Sequence, residues 1–145
     1  MIKIQFPETS FKTKKENGID IIFDTCRKKW VVLTPEEWVR QNFLEYLITV
    51  KQYPASLIAV EKEIKLGELK KRCDIVVYDR ESKPWMIIEC KEMNAPLNKS
   101  VLEQALRYHI TLPSDYLVIT NGTHSYGFIK QDGRFTETEE MPDYL

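Results

Sequence analysis

The stretch Pro84-Trp-Met-Ile-Ile-Glu-Cys-Lys-Glu92 decides the reading of this chain. Alternation along a strand puts Trp85, Ile87, Glu89 and Lys91 on one face and Met86, Ile88 and Cys90 on the other. Both faces begin apolar, as in a central strand covered on both sides. The strand then ends in two charges. An unpaired buried charge is costly, so charges in such a place are paired with one another or hold a metal.

The run before it, Lys71 to Tyr78 with Cys73-Asp-Ile-Val-Val-Tyr78 at its heart, is a second strand, and a turn around Asp79 to Lys83 makes the two antiparallel. Its start therefore lies beside the end of the next strand, and Asp74, Glu89 and Lys91 converge at one edge of the sheet. Asp and Glu are hard oxygen ligands suited to Mg2+ or Mn2+, with positions left for water and a phosphate. A lysine beside them can hold the attacking water or offset charge on the reacting phosphorus. The pattern points to phosphodiester hydrolysis. From these three residues alone, an ordinary salt-bridge network at a sheet end accounts for the sequence equally well.

Outward from these strands, Leu57 to Leu66 completes an antiparallel meander. Thr34-Pro-Glu-Glu37 starts a helix that runs to about Lys51: Thr34 is the N-cap, Pro35 fits N1, and Glu37 closes a capping box. Val39, Phe43, Tyr46, Leu47 and Val50 recur at helical spacing and are expected on its core face. A second helix spans about Lys99 to Leu112, capped by Asn98 or Ser100, and Gln104 and Tyr108 share one face at i, i+4. Tyr116 to Thr120 reads as a buried strand, Asn121-Gly122 as a hairpin turn, and Ser125 to Lys130 as a fifth strand. Ile19 to Asp24 and Lys29 to Leu33 form an N-terminal hairpin. The residues up to about Gly18 read as a polar arm, and those after Gly133 as a peripheral tail. The expected fold is α/β, a central mixed sheet flanked by helices, in one domain over 1–145 with its core at about 34–130.

Composition is that of an ordinary globular chain, with 43% hydrophobic and 30% charged residues. No apolar run approaches the roughly 20 residues of a membrane span, and the N-terminus lacks a signal-peptide pattern, so a cytoplasmic, membrane-free protein is expected. Three cysteines without a CxxC pair argue against a disulfide framework and a zinc site, and only two histidines exclude a His-rich one. A net charge of −1 does not advertise nucleic acid. Lysines and arginines do cluster at 12–15, 27–29 and 70–72, but such runs are more often a solvated face. Trp30, Trp38 and Trp85 are expected in the packing.

Arg72-Cys-Asp-Ile-Val-Val-Tyr, Ile88-Glu-Cys-Lys, Glu103-Gln-Ala-Leu-Arg-Tyr and Leu117-Val-Ile-Thr-Asn-Gly, together with Pro35-Glu-Glu-Trp-Val-Arg-Gln, resemble the N-terminal nuclease domain of type I restriction enzyme R subunits. They resemble especially the short stand-alone proteins related to that domain, over about Asp20 to Lys130. The resemblance implies the restriction-endonuclease-like PD-(D/E)XK fold, an αβββαβ core, and a Mg2+- or Mn2+-dependent DNA endonuclease. It implies Asp74 and Glu89 as metal ligands, Lys91 as the catalytic lysine, and Gln104 and Tyr108 as a QxxxY element that supports the site and contacts DNA. A first-helix glutamate often joins the metal shell; Glu37 is the expected one, Glu45 the alternative, and Glu61 a candidate for the rim. Cys73 stands where the motif has proline, a common variation. No GxxxxGK[S/T] loop occurs in the sequence, so translocation or target choice is expected from a partner in trans. A homodimer is an analogy from the fold. The competing expectation is a catalytically silent module of the same fold that binds DNA or a partner protein.

Overall fold

The computed structural model describes residues 1–145, the side chain of Leu66 excepted. Three short strands come first: β1 (Thr13–Glu16), β2 (Ile19–Asp24) and β3 (Lys29–Val32). They form an antiparallel sheet in that order, apart from the main one. Helix α1 (Pro35–Glu45) follows and widens into a π turn at Tyr46–Val50. Then come β4 (Ile58–Leu66), β5 (Leu69–Tyr78), β6 (Pro84–Cys90), α2 (Lys99–Thr111), β7 (Tyr116–Thr120), β8 (Ser125–Gln131) and β9 (Arg134–Thr138). Strands β4 to β9 make one six-stranded sheet in sequence order. Every neighbouring pair is antiparallel except β6 and β7, which are parallel with α2 as the crossover. The architecture is the expected mixed α/β one.

The sheet is covered on both faces. Val39 and Phe43 of α1 and Leu47 of the π turn pack with Ile75, Val77, Met86, Ile88 and Val118. On the other side Tyr108 of α2 packs with Val76, Ile87 and Leu117, and Val101 and Ala105 with Ile119. This two-sided burial explains the nearly unbroken apolar run of β6. Val50 departs from the helical pattern and is half exposed, because it lies on the π turn, where the helical register has shifted.

Several sequence expectations need correction. The N-terminal arm is not loose: Ile2 bridges to Ser125, and Phe6 sits edge-on to Phe43 and Tyr46. Part of it, Thr13–Glu16, is β1. The polar tail contributes β9 as an edge strand, after which Met141 is buried and the Tyr144 hydroxyl donates to the Tyr78 carbonyl at 2.7 Å. Trp85 is core, but Trp30 and Trp38 are 38% and 39% exposed. Trp85 joins the α1 side because the β5–β6 register shifts between Val77 and Tyr78. Among the described residues, no helix is long and apolar enough to cross a membrane.

The hairpin at Asn121-Gly122 is a four-residue connection rather than a two-residue one, with Thr120 paired to Ser125. The buried Asn121 side chain organises it. Its Oδ1 accepts from the Thr123 and His124 amides at 2.9 and 2.7 Å, and its Nδ2 donates to the Ala95 carbonyl at 2.9 Å. The last bond ties this turn to the loop that follows Lys91. Asn121→Ala removes all three part-buried bonds, so it is expected to destabilise the chain by about 1–3 kcal/mol in urea unfolding.

Candidate functional site

Adjacent strands bring the acidic residues together. Ile75 pairs with Ile88, so one residue further Asp74 lies beside Glu89 at the sheet end. Both are buried, at 5% and 3% exposure. Alternation alone would send Asp74 to the Val76 face, toward α2. Its Oδ1 instead accepts from Arg40 of α1 at 2.6 Å, and its Oδ2 from the Cys90 amide at 2.8 Å. The local strand irregularity accounts for this. Pairs Val60–Ile75 and Lys62–Cys73 flank Glu61, whose backbone is left-handed with φ 54°. Such a conformation is strained for a residue with a Cβ and breaks the β4–β5 pairing opposite Asp74.

Arg40 is the residue that sequence reasoning missed. Its side chain is buried, and it pairs with Glu37 at 2.8 Å, Glu61 at 3.3 Å and Asp74 at 2.6 Å. Burial alone would weaken its charge, but Asp74 and Glu37 hold the guanidinium charged and raise its pKa above the ordinary value. Arg27, from the β2–β3 turn, extends the network to Asp24, to Glu37 at 2.9 Å and to Glu61 at 3.3 Å. The Arg27 of the basic run is thus an internal cation and not part of a solvated face.

This network also relocates the helix carboxylate. Glu37 is fully engaged: Arg27 and Arg40 meet its Oε1, and the Gln41 amide donates to its Oε2 at 3.1 Å. It reaches Asp74 only through Arg40. Thr34 caps the helix as expected, accepting from the Glu37 amide at 3.0 Å, but the Glu37 side chain does not complete the capping box. Its neighbour Glu36 lines the cleft beside Arg40 and Glu61 and feels the Asp74 charge. Burial and then the Asp74 charge raise the Glu36 pKa, while Arg40 and Lys91 pull it back. Glu45 lies elsewhere, near Cys26.

Glu89 completes the acidic group. Burial and the neighbouring Asp74 charge push its carboxyl up to about 9. Its Oε2 is buried without a hydrogen-bond partner. Lys91 Nζ lies 4.0 Å from Glu89 Oε1 and donates to Gln104 Oε1 at 3.5 Å. Gln104 Nε2 in turn donates to the Tyr108 hydroxyl at 3.0 Å. Tyr108 is buried, and burial together with Glu89 lifts its hydroxyl to about 12, so it stays protonated. The Gln104–Tyr108 pair thus reaches the site through Lys91, as its shared helix face implied.

The donor chemistry fits a hard divalent cation. An orphaned buried carboxylate oxygen on Glu89, next to Asp74 and Glu36, is the kind of group such an ion satisfies. Among the described residues, no three acidic, His or Cys side chains converge as a ready-made cage. The reason is geometric: Asp74 is turned onto Arg40 and the Cys90 amide. The fit is therefore to two carboxylates, Asp74 and Glu89, whose fields also reach Glu36.

Fold and site together define an α/β domain with an acidic and lysine-bearing site at the end of its central strands. Residues 35–142 match the family described as type I restriction enzyme R protein N terminus (HSDR_N), and the chain belongs to that family. No curated protein matches it. The matched stretch holds Glu36, Glu37, Arg40, Asp74, Glu89, Lys91, Gln104 and Tyr108, and it leaves out β1 to β3.

The raised Glu89 pKa gives stability a sign with pH. The folded chain holds a proton to about 9, whereas an ordinary glutamate releases it near 4.5. That contribution is fully present below the ordinary value and is lost as pH rises toward the folded one. In EDTA, the melting temperature is expected to fall between those limits, and Glu89→Gln is expected to flatten the fall. A second expectation concerns Arg40. Arg40→Ala leaves buried carboxylates uncompensated and should cost about 3–5 kcal/mol in denaturant unfolding.

Proposed function

We propose that the chain is a metal-dependent nuclease domain of the PD-(D/E)XK fold, hydrolysing phosphodiester bonds of DNA. The observation that carries this reading is the meeting of Asp74, Glu89 and Lys91 at one sheet end, in a member of a restriction R-protein family. Asp74 and Glu89 would hold Mg2+ or Mn2+, with Glu36 rather than Glu37 as the helix carboxylate. A divalent ion there supplies positive charge to a phosphate oxygen and acidifies a bound water.

The protein's own groups have distinct tasks. Lys91 is partly exposed at the mouth, with its ammonium held by Gln104, so it can donate to a phosphate oxygen or to the attacking water. Tyr108 fixes Gln104, and Gln104 fixes Lys91, so the ammonium is placed before substrate arrives. Arg40 positions Asp74 and offsets the crowding of carboxylates behind it. Translocation along DNA, where needed, would come from a partner in trans.

One observation favours the silent-module reading: both Asp74 oxygens already have partners. Each carboxylate oxygen carries more than one acceptor site, so these bonds leave room for an ion. Cleavage assays with supercoiled plasmid and single-stranded DNA separate the two readings. Cutting is expected in Mg2+ or Mn2+, is expected to be lost in EDTA, and should fall at least about 100-fold in Lys91→Ala. Neither cutting nor Mn2+ binding sensitive to Glu89→Ala would sink the nuclease reading for this chain.

A further inference from the structure

The three-stranded sheet β1–β3 lies outside the family match, yet it is bolted to the site. Its turn residue Arg27 pairs with Glu37 and Glu61, the same two carboxylates that hold Arg40. Its inner face carries Ile22 and Asp24, both fully buried. The outer face is different. Phe23 pairs with Trp30 across the strands, and their rings meet edge to face at 5.5 Å. Lys14 Nζ sits 4.4 Å from the centre of the Trp30 ring, and Lys12 Nζ 6.0 Å from that of Phe23. Trp30 is nevertheless 38% exposed and Val32 54%. The strand β3 that carries them lines a cleft of about 460 Å³ whose opposite wall includes Glu36, Arg40 and Glu61.

Two facts select the occupant of this face. Lysines on a mobile surface lose entropy when they grip an anion, but ammonium groups seated on aromatic rings are already placed. Here two such groups stand on one face, and Lys14 Nζ also lies 3.9 Å from the exposed Glu16 carboxylate, which leaves one more cation than anion among these three residues. The face also continues into the cleft as far as Glu36 and Arg40, where Arg27, Lys29 and Arg40 stand among the carboxylates of Glu36, Glu37 and Glu61. A polyanion running from site to sheet would meet Lys91 at one end and Lys14 and Lys12 at the other.

We propose that the outer face of β1–β3 is a nucleic-acid backbone track, on which Lys12 and Lys14, held by Phe23 and Trp30, take phosphates of the strand whose scissile bond lies at Lys91. This rests on the nuclease reading and names where the substrate leaves that site. The aromatic residues act as positioning residues for the two ammonium groups. Arg27 keeps the track in fixed relation to the site.

The test is fluorescence-anisotropy binding of single-stranded and duplex oligonucleotides to the whole chain in EDTA, across a salt series. Lys12→Gln with Lys14→Gln is expected to weaken binding roughly ten-fold and to lower the slope of log affinity against log salt by about 1.5–2. Trp30→Ala should weaken binding several-fold with a smaller change of slope. Lys62→Gln with Lys65→Gln, an equal charge change on exposed β4 positions, should leave both nearly unchanged. Equal losses in both lysine pairs would mean diffuse charge only and would overturn the track. Unchanged binding in the first pair would also overturn it. So would a change of sedimentation state in Trp30→Ala without loss of binding, since the face would then be a protein interface. Because binding is read without metal or cutting, its failure leaves the cleavage result standing, and a failure to cut leaves the binding result standing.

Discussion

The ion pair between Arg40 and Asp74 is the interaction on which the site depends. Two carboxylates from neighbouring strands, Asp74 and Glu89, are buried side by side at the end of a sheet. Left to themselves they repel, and burial magnifies the repulsion. One guanidinium from α1 reaches Asp74, and its second nitrogen reaches Glu37 and Glu61. Arg's planar fork makes this possible where a lysine would not, since it meets several carboxylates in fixed directions. The helix is thereby pinned to the sheet at the point where its first turn delivers Glu36. Fold and site share one set of bonds.

That compensation is incomplete, and the incompleteness is informative. Arg40 serves Asp74 and the acids behind it, while Glu89 keeps an oxygen without any partner. Lys91 stands 4.0 Å away and is itself drawn toward Gln104. A site meant only for stability would be cheaper with apolar residues, since buried ion pairs seldom add net stability over a packed core. Glu89 in particular is costly in its ionised form, since burial and the Asp74 charge both oppose its ionisation. The uncompensated oxygen belongs to the acid beside the partly exposed Lys91, and the compensated acids are gathered around Arg40.

Much of this was legible because β6 states it directly: apolar on both faces, then Glu89 and Lys91. Antiparallel pairing carried Asp74 to Glu89, and the i, i+4 spacing carried Gln104 and Tyr108 to one face. What was not legible has identifiable causes. Glu36 and Glu37 are adjacent, and one helical residue turns the side chain by about 100°, so only the docking of α1 on the sheet decides which faces the site. The capping-box pattern favoured Glu37, but two arginines compete for its carboxylate and win. Arg40 reads as a surface residue until its partners are seen on three separate elements. Strands β1 and β9 are polar edge strands, held by pairing and not by apolar alternation, so periodicity passes over them. The left-handed Glu61 backbone has no sequence mark, since glycine is the usual residue there.

The arginine network also bears on how the β1–β3 sheet relates to the rest. A three-stranded sheet this short has little core of its own and needs packing to be stable. Ile22 supplies some, but the directional link is Arg27, which bonds Asp24 at the base of the hairpin and the same Glu37 and Glu61 that hold Arg40. Moving the sheet would therefore strip partners from the acids that orient Arg40, and through Arg40 from Asp74. A substrate gripped by the lysines of this sheet would press on the same chain of contacts. The coupling is short, runs entirely through buried or half-buried charges, and is thus little screened by salt. It makes the placement of the sheet and the placement of Asp74 a single structural variable.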